Sequence, residues 1–289
     1  MRLVAPASRP GAPALASMAA ARSGAGIVHL VSNRGLFAPV AQLAPETVFL
    51  ALPDGETGLA RRLFDLIGER AARCNAFLIG PGLGDDDYAR ALVAAALGLS
   101  TSSTRRVGFG ANATDEDSSG TSNLLTYGKP IVIDADGLNA LSSIDGWWKR
   151  VPAGSLLLTP HVGELARLTG LSAEEINADH AAAARSAAKK FGQTILLKGA
   201  PTLVASGEEL WEAEDAPVSL ATAGTGDVLA GSIVAFLAQG SAPTTAANLA
   251  VAVGSAAART LEADLGALGL IASDLPMAIA RELARLGQP

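Results

Sequence analysis

An aspartate that directly follows a glycine-rich turn is the strongest candidate for chemistry in this sequence. Residues 221–231 read Ala-Thr-Ala-Gly-Thr-Gly-Asp-Val-Leu-Ala-Gly, and apolar residues at helical spacing follow to position 237. Gly224 and Gly226 permit a tight turn with exposed amides, and free amides at the start of a helix bind anions. Beside a phosphate held there, Asp227 could act as a general base. The alternative is a helix-capping aspartate, but two turn glycines and the further Gly231 favour the functional interpretation.

Two further patterns lie where predicted strands end. Residues 79–84 read Ile-Gly-Pro-Gly-Leu-Gly, and glycines at the carboxyl end of a strand let a ligand lie against the backbone. Asp134 and Asp136 directly follow another predicted strand and could bind a metal ion or face a phosphate. The alternatives are a tight strand-to-helix turn for the glycines and a helix cap for the acids, and both stay open.

A histidine and a lysine complete the set of candidates at strand ends. His161 stands in Leu-Thr-Pro-His-Val-Gly-Glu between a predicted strand and a predicted helix, which is a ligand-binding position in open α/β sheets. Lys198 and Gly199 stand between two predicted strands, where the lysine can neutralise a phosphate and the glycine allows close contact. The alternatives are a capping or surface histidine and a plain hairpin with an exposed lysine.

Short apolar runs alternate with helical patterns along the chain. The predicted strands are Ile27–Val31, Ala76–Ile79, Ile131–Ile133, Leu156–Leu158, Ile195–Leu197 and Thr202–Ala205. Continuous apolar runs of this length are typical of strands buried on both faces. The predicted helices are Ala14–Arg22, Leu59–Arg73, Asp86–Leu97, one from Ser172 to about Phe191, and nearly all of the chain after Asp227. This alternation indicates a parallel sheet covered by helices on both faces.

The first 33 residues allow two interpretations. They contain three arginines and no acidic residue, a composition typical of an organelle transit peptide. They also contain Leu3-Val4, a helical stretch and a Gly24-Ala25-Gly26 stop signal, which predict the first strand and helix of the domain. We expect the second interpretation and a cytoplasmic protein, because transit peptides do not normally end in a strand–turn pattern. Import into an organelle stays open.

Residues 100–122 interrupt the alternation of strands and helices. They are rich in Ser, Thr, Gly and Asn, with three consecutive acidic residues at 115–117. Such a polar segment is typical of an exposed insertion. A partner-binding loop is the alternative interpretation.

Composition excludes several classes of protein. The formal net charge is −6, and the basic patch of a nucleic-acid-binding protein is not visible. The single cysteine, Cys74, rules out a disulfide framework and a thiolate metal cluster. No apolar run reaches the roughly 18 residues that a membrane span needs. The phosphate-binding loop of P-loop enzymes and the Gly-x-Ser-x-Gly elbow are both missing from the sequence.

Taken together and in this order, the motifs resemble those of the ADP- or ATP-dependent NAD(P)H-hydrate dehydratases, a ribokinase-like family also called carbohydrate kinase-related proteins. The matching stretches are Gly80-Pro-Gly-Leu-Gly84, Asp134-Ala-Asp-Gly-Leu-Asn139, Thr159-Pro-His-x-Gly-Glu164, Lys198-Gly-Ala-x-Thr202 and Ala223-Gly-Thr-Gly-Asp-Val-Leu-Ala-Gly231. Gly11-Ala12, with the helix and glycines that follow, matches the family's first helix at the same spacing. The resemblance runs from about Leu3 to the C-terminus, apart from residues 100–122.

The resemblance implies a ribokinase-like fold, a three-layer α/β/α sandwich with a mostly parallel central sheet, in one domain over residues 1–289. It implies dehydration of the S form of NAD(P)H hydrate to NADH or NADPH, with ADP or ATP as the phosphoryl donor, Mg²⁺ on its phosphates through unassigned ligands, and Asp227 as the catalytic base. The implied substrate residues are Ala12, Gly82, Gly84, His161 and Asp227. The implied nucleotide residues are Lys198, Gly199, Ala200, Pro201, Thr202, Gly224, Thr225 and Gly226. The expected partners are these small molecules and further copies of the chain, as in a tetramer, without nucleic acid or membrane.

Two other functions stay open at this point. A small-molecule kinase of the same fold, such as a hydroxymethylpyrimidine or hydroxyethylthiazole kinase, shares the Gly-x-Gly-Asp base but stops at a phosphorylated product. A catalytically inactive nucleotide-binding protein is the other alternative. Its best support is the Pro6-Ala7-Ser8 stretch, which stands where the family usually has Gly-Gly-Ser.

Overall fold

The structure is a computed structural model that describes residues 2–5, 9–52, 59–99, 123–213 and 215–287. For residues 2–5, 60 and 61 the description covers the backbone alone. Two of the sequence predictions, the altered turn at residues 6–8 and the exposed insertion at 100–122, lie outside the described residues. Both therefore stay predictions.

The described strands form one nine-stranded sheet with the order β3-β2-β1-β4-β5-β6-β7-β8-β9. The strands are β1 (Arg2–Ala5), β2 (His29–Ser32), β3 (Val48–Ala51), β4 (Phe77–Ile79), β5 (Ile131–Ile133), β6 (Leu156–Leu158), β7 (Thr194–Leu197), β8 (Leu203–Ser206) and β9 (Glu209–Glu212). The pairs from β3 to β7 are parallel, whereas β8 and β9 are antiparallel to their neighbours. The prediction of a mostly parallel sheet is confirmed.

Helices cover both faces of this sheet. They are α1 (Gly11–Arg22), α2 (Phe37–Leu43), α3 (Leu59–Arg73), α4 (Asp87–Ala96), α5 (Asp136–Ser142), α6 (Val162–Thr169), α7 (Ala173–Ala178), α8 (His180–Phe191), α9 (Thr225–Ala238), α10 (Pro243–Leu265) and α11 (Leu275–Leu286). Successive strand residues point to opposite faces, so Phe77 and Ile79 join the core beneath α3–α6 and α8. Leu78 instead joins the core beneath α1, α2, α9 and α10. The result is the predicted three-layer α/β/α sandwich.

The predicted elements agree with the structure except at a few places. All six predicted strands exist, with ends that differ by at most two residues. The sequence did not predict the edge strands β3 and β9. β9 reads Glu-Leu-Trp-Glu and lacks the continuous apolar run that marks a central strand. β3 does have such a run, Val-Phe-Leu-Ala, although it is an edge strand in which Val48 is 43% exposed.

One helix prediction is wrong in its extent. The stretch from Ser172 to Phe191 was predicted as a single helix, but it consists of α7 and α8 with a break at Asp179. Ser172 and Glu175 do form the predicted capping box of the first helix. The carboxylate of Asp179 accepts a hydrogen bond of 2.8 Å from the amide of Ala182. This second cap begins a new helix because it satisfies an amide that has no partner within the helix.

The N-terminal residues belong to the sheet and to one helix layer. Strand β1 pairs with β2 on one side and with β4 on the other, and α1 packs along α9. The interpretation of this stretch as the first strand and helix of the domain is confirmed. Because the chain runs from β1 out to β3 and then returns to place β4 on the other side of β1, the strand order reverses there. In open α/β sheets, ligands bind outside the carboxyl ends of the strands at such a reversal.

Candidate functional site

The glycine turn after β4 packs against the start of α1. Gly82 has a φ of +69°, and a Cβ there would lie 2.9 Å from Pro13 Cδ and 3.0 Å from the carbonyl oxygen of Arg9. Only a glycine fits this approach. The contact brings Gly82 beside Ala12, so two of the predicted substrate residues lie together at the reversal of the sheet.

Two aspartates follow β5 and face this turn from the other side. A Cβ on Gly80 would overlap the carbonyl of Asp134, and the amide of Gly84 donates a hydrogen bond of 2.8 Å to Asp136 Oδ2. Ala135 between the two acids has a φ of +49° and a ψ of −123°, which is a strained conformation for alanine. The strained peptide allows both acids to point to the same edge of the sheet.

Lys198 connects three strand ends. Its Nζ donates to Asp134 Oδ1 at 2.8 Å and lies 3.8 Å from Glu164 Oε2. Asp134 is buried and also accepts a hydrogen bond of 2.7 Å from Thr159 Oγ1. The lysine side chain is only 22% exposed. β7 and β8 do form a hairpin, but the lysine at its turn faces the other candidates rather than solvent.

His161 is the residue that precedes α6. Its Nδ1 accepts hydrogen bonds from the amides of Gly163 (2.9 Å) and Glu164 (3.4 Å). The Glu164 carboxylate in turn accepts a hydrogen bond of 2.9 Å from the amide of His161. Because Nδ1 is an acceptor, the neutral ring carries its hydrogen on Nε2, which lies 3.5 Å from Glu164 Oε1. The capping interpretation is therefore correct, and the half-exposed ring still presents one N–H at the site.

Packing against α1 and hydrogen bonds from Thr225 fix the turn before α9. Gly224 precedes the helix with a φ of +91°, and a Cβ there would lie 2.7 Å from Leu15 Cδ1. Thr225 Oγ1 donates to the carbonyl oxygens of Leu220 (2.7 Å) and Thr222 (2.9 Å). Asp227 is the third residue of the helix, so it is not the capping residue. Its carboxylate lies at the amide-lined end of the helix instead.

Burial and neighbouring charges set the ionisation of this carboxyl. Burial is the main cause that raises the pKa of Asp227 to about 7, and the charges of Asp134 and Asp136 raise it further while that of Lys198 lowers it. For Lys198, burial lowers the pKa but the carboxylates of Asp134 and Glu164 outweigh it, so its pKa is raised. At neutral pH the site therefore holds a fixed ammonium group beside a carboxyl that can exchange a proton.

A cavity of about 540 Å³ opens beside the turn before α9. Its interior is apolar, with Val228 and Leu229 from α9, Val251 from α10, and Leu275 and Ile279 from α11. Its mouth is formed by six of the predicted nucleotide residues, namely Lys198, Gly199, Ala200, Thr202, Thr225 and Gly226. A larger cavity of about 710 Å³ lies at the opposite edge of the sheet and is lined, in the described part of the chain, by other residues.

Residues 6–281 match the model of the Carb_kinase family, which is described as NAD(P)H-hydrate dehydratase. The chain belongs to this family. Among related members, the ADP-dependent (S)-NAD(P)H-hydrate dehydratase of Neisseria meningitidis serogroup B is 36% identical over 271 residues, which cover 92% of this chain and 78% of that protein. The bifunctional NAD(P)H-hydrate repair enzyme Nnr of Salinibacter ruber is 36% identical over 283 residues, which cover 96% of this chain and 47% of that protein. The chain thus spans about half the length of this Nnr relative.

Solved structures agree with the family assignment. The ADP/ATP-dependent NAD(P)H-hydrate dehydratase of Bacillus subtilis, co-crystallised with ATP and Mg²⁺, has a TM-score of 0.73 and 25% identity over 98% of this chain and 88% of that chain. A ribokinase-like protein of Enterococcus faecalis has a TM-score of 0.76 at 22% identity, over 100% of this chain and 87% of that chain. The predictions of the family and of the ribokinase-like fold are confirmed.

The NAD(P)H-hydrate dehydratase motifs converge on one edge of the sheet, but not every residue in them has the predicted role. A Cβ on Gly231 would overlap the carbonyl oxygen of Ala16. This glycine lets α9 approach α1 and supports the packing of the helices rather than the turn. Glu164 was not among the predicted site residues, although its position three residues after His161 is the spacing of a capping box.

The described residues offer neither a cluster of metal ligands nor a membrane span. No group of three or more His, Cys, Asp or Glu side chains is arranged to hold a metal ion. No helix in the same part of the chain is both long and apolar enough to cross a membrane.

Proposed function

We propose that this chain catalyses the ADP- or ATP-dependent dehydration of the S form of NAD(P)H hydrate and restores NADH or NADPH. The observation that carries the proposal is the position of Asp227. Its carboxyl has a pKa of about 7 and lies at the amide-lined start of α9, beside the mouth of the apolar cavity. A base of that pKa is suited to proton transfer at neutral pH.

The chemistry begins with a hydroxyl on a saturated carbon of the nicotinamide ring. Hydroxide is a poor leaving group, so direct elimination is slow. Asp227 takes the hydroxyl proton as the oxygen attacks the terminal phosphorus of the nucleotide, and the shortened nucleotide leaves. The amides of residues 224–226 stabilise charge on the transferring phosphoryl group. Phosphate then leaves the ring with its bonding electrons, and loss of a ring proton forms the double bond of the reduced nicotinamide.

The two ligands occupy different parts of the site in this proposal. The nucleoside of ADP or ATP enters the 540 Å³ cavity, and its phosphates meet Lys198 and the turn before α9. Gly199, Ala200, Pro201 and Thr202 complete the nucleotide side. The hydrated dinucleotide lies across the sheet reversal, against Ala12, Gly82 and Gly84, with His161 Nε2 as a donor. Asp227 lies where the two ligands meet.

The nucleotide enters as its magnesium complex. Mg²⁺ commonly binds through phosphates, waters and one or two carboxylates rather than in a cage of protein ligands. The described part of the site fits this pattern, since it offers separate carboxylates and no group of three that could hold a metal ion by itself.

The proposal is tested with hydrated NADH, Mg²⁺ and either ADP or ATP. We expect the absorbance of reduced nicotinamide to return, with one phosphate released for each dinucleotide restored. Consumption of nucleotide with a phosphorylated product and no such absorbance would identify a kinase of the same fold. Nucleotide binding without turnover of either nucleotide would identify an inactive binding protein. Either result would overturn the dehydratase.

We further propose that the enzyme works in the cytoplasm as a homo-oligomer. Large apolar side chains near the C-terminal helices support contact between copies, with Leu268 98% exposed and Ile271 57% exposed. Sedimentation of the purified chain at several concentrations tests the oligomer, and a monomer throughout would contradict it.

A further inference from the structure

One wall of the 540 Å³ cavity lies outside the sheet. It consists of residues 215–221, called here the wall segment, of which all but Ser219 line the cavity. Two residues before the segment, the amide of Ala213 donates 2.9 Å to the carbonyl oxygen of Thr202. Thr225 holds its far end through the carbonyl oxygen of Leu220. The rest of the wall segment is held in place by further contacts.

Those contacts come from two residues one turn apart on α10. The guanidinium of Arg259 binds both carboxylate oxygens of Asp215, with Nε at 2.9 Å from Oδ2 and 3.2 Å from Oδ1, and a further bond from its second amino group. Another Arg259 nitrogen donates to Glu262 Oε2 at 2.9 Å. Glu262 Oε1 in turn accepts from the amide of Ser219 at 3.3 Å. We call Arg259, Asp215 and Glu262 the α10 clamp.

The clamp stays charged over the neutral range. Hydrogen bonding and the charge of Arg259 lower the pKa of Asp215, and the hydrogen bond from Ser219, with the contribution of Arg259, lowers the pKa of Glu262. A forked arginine–carboxylate pair fixes geometry as well as charge. Ser255 Oγ also donates to the carbonyl oxygen of Asp215, at 3.3 Å. The wall segment is thereby tied to α10 at Asp215 and at Ser219.

We propose that Arg259 is a positioning residue for nucleotide binding, which holds the wall segment over the cavity that takes the purine nucleoside of ADP or ATP. The proposal rests on the proposed function for the identity of that ligand. Arg259 is not among the described residues that line the cavity, so it acts through the wall. Without the clamp, the ligand must itself order the wall, and its affinity falls in proportion to the fraction of molecules with the wall in place.

The experiment measures the affinity for adenosine by calorimetry in wild type, R259Q, R259K and D215N. Adenosine is uncharged, so loss of the arginine charge cannot weaken it through the phosphates. We expect about fivefold to tenfold weaker binding in R259Q and D215N, the effect of ordering one short segment. R259K should recover part of this loss because it keeps the charge without the fork. The double variant R259Q/D215N should bind no more weakly than R259Q, since R259Q by itself already breaks the contact with Asp215.

The matched control is R285Q. Arg285 forms the same kind of pair, with Glu282 three residues before it at 2.6 Å, and is 61% exposed against 54% for Arg259. R285Q should bind adenosine as wild type does. Rising salt should weaken adenosine binding in wild type more than in R259Q, because salt screens exposed ion pairs.

The proposal would be overturned if R259Q bound adenosine with wild-type affinity, or if R285Q lost as much affinity as R259Q. It would also be overturned if the wild-type chain bound no adenosine. The dehydratase assay is run separately on the same proteins. There we expect the KM for ADP or ATP to rise in R259Q far more than the KM for hydrated NADH. If the wild-type chain bound adenosine but restored no NADH, the proposed reaction would be rejected. The role of Arg259 would then be decided by the adenosine affinities alone.

Discussion

Asp227 has the position and the pKa that the proposed reaction requires of its base. Replacing it with asparagine keeps the shape of the site and removes the proton acceptor. We therefore expect D227N to lose about 10²–10⁴-fold in rate while ADP and ATP bind with nearly unchanged affinity. In wild type, kcat/KM should fall below about pH 7 as the carboxyl takes up a proton. E208Q, which removes an exposed carboxylate, should retain full activity. Near wild-type turnover in D227N would reject Asp227 as the base.

The same carboxyl should make the folded chain less stable as pH rises. Its pKa is 3.8 in the unfolded reference and about 7 in the fold, so the folded state keeps a proton that the unfolded state releases between these values. Stability contributed by this group is therefore lost as pH rises from 4 to 7. D227N should match wild type near pH 4 and exceed it by about 4 kcal/mol above pH 7, since one pKa unit corresponds to about 1.4 kcal/mol. Thermal unfolding at several pH values measures the difference in stability between D227N and wild type. A difference that does not change with pH would contradict the raised pKa of Asp227.

His161 has two roles that a pair of substitutions can separate. H161A removes both the helix cap and the Nε2 donor, and should lose about 1 kcal/mol of stability together with affinity for the hydrated dinucleotide. Asparagine caps helices well, so H161N should keep the stability of wild type. Its side chain is shorter than the imidazole ring and should not reach the hydrated dinucleotide. Loss of one hydrogen bond to a polar group should weaken the dinucleotide about ten- to a hundredfold, and ADP or ATP much less. Calorimetric titration decides, and equal weakening of both ligands would leave His161 with the capping role alone.

The sequence allows some of these residues to be assigned and hides others. Asp227, His161 and Lys198 could be chosen because glycine or proline marks the turn beside each of them. Asp134 could not be assigned, since acids at strand ends also cap helices. Glu164 could not be assigned either, since its spacing after His161 is that of a capping box. Arg259 gives no sequence signal at all, because its partner Asp215 is 44 residues away in the chain.

At the scale of elements, the packing of α1 against α9 sets the distance between the two ligand regions. G231A would place a Cβ 3.0 Å from both Cα and C of Ala16 and against its carbonyl oxygen. We expect a loss of about 1–3 kcal/mol, because the helices must separate. The control is G68A in α3, where the added Cβ meets only Tyr127 Oη at 3.8 Å and should stabilise by about 0.5–1 kcal/mol. Denaturant midpoints compare the two, and equal stability would show that α1 can move freely.

The accuracy of the element predictions depends on how much of each element is buried. The central strands β4 to β7 are buried on both faces and read as apolar runs, so they could be predicted. β3 and β9 lie at the edges of the sheet. β9 has a glutamate at each end, which hides it from a search for apolar runs, whereas β3 reads Val-Phe-Leu-Ala and could have been predicted. The break at Asp179 could not be seen, because the alanine-rich stretch favours a helix on both sides of it.

At the scale of the whole molecule, we propose that residues 1–289 form one domain with the segment 100–122 inserted into it. The described strands before and after that segment pair directly as β4 and β5. The site also takes residues from both sides of it, from Ala12 to Asp227. An insertion between two paired strands must begin and end at nearby points of the domain. The described residues on either side of the segment show how far apart these points are.

Those ends lie close together. A Cβ on Gly98 would lie 3.4 Å from Asn123 Cβ, so the chain leaves and returns within a short distance. The amide of Leu99 donates a hydrogen bond of 2.7 Å to the carbonyl oxygen of Ala94, and Arg150 donates one of 3.0 Å to the carbonyl oxygen of Leu99. Asn123 is held as the cap of the turn that follows, with its Oδ1 2.9 Å from the amide of Leu125. Both anchors remain when the segment between them is removed.

We therefore expect deletion of residues 100–122, with a bridge of four Gly and Ser residues, to leave the fold and the activity intact. Replacing 23 residues by about four shortens the loop more than fourfold, which should stabilise the chain by about 1–1.5 kcal/mol through the smaller closure entropy. Chemical denaturation measures this change, and N123A in the full-length chain controls for damage to the cap. A loss of stability greater than that of N123A would show that the deleted residues contribute contacts to the domain, and a selective loss of activity would assign them to the site.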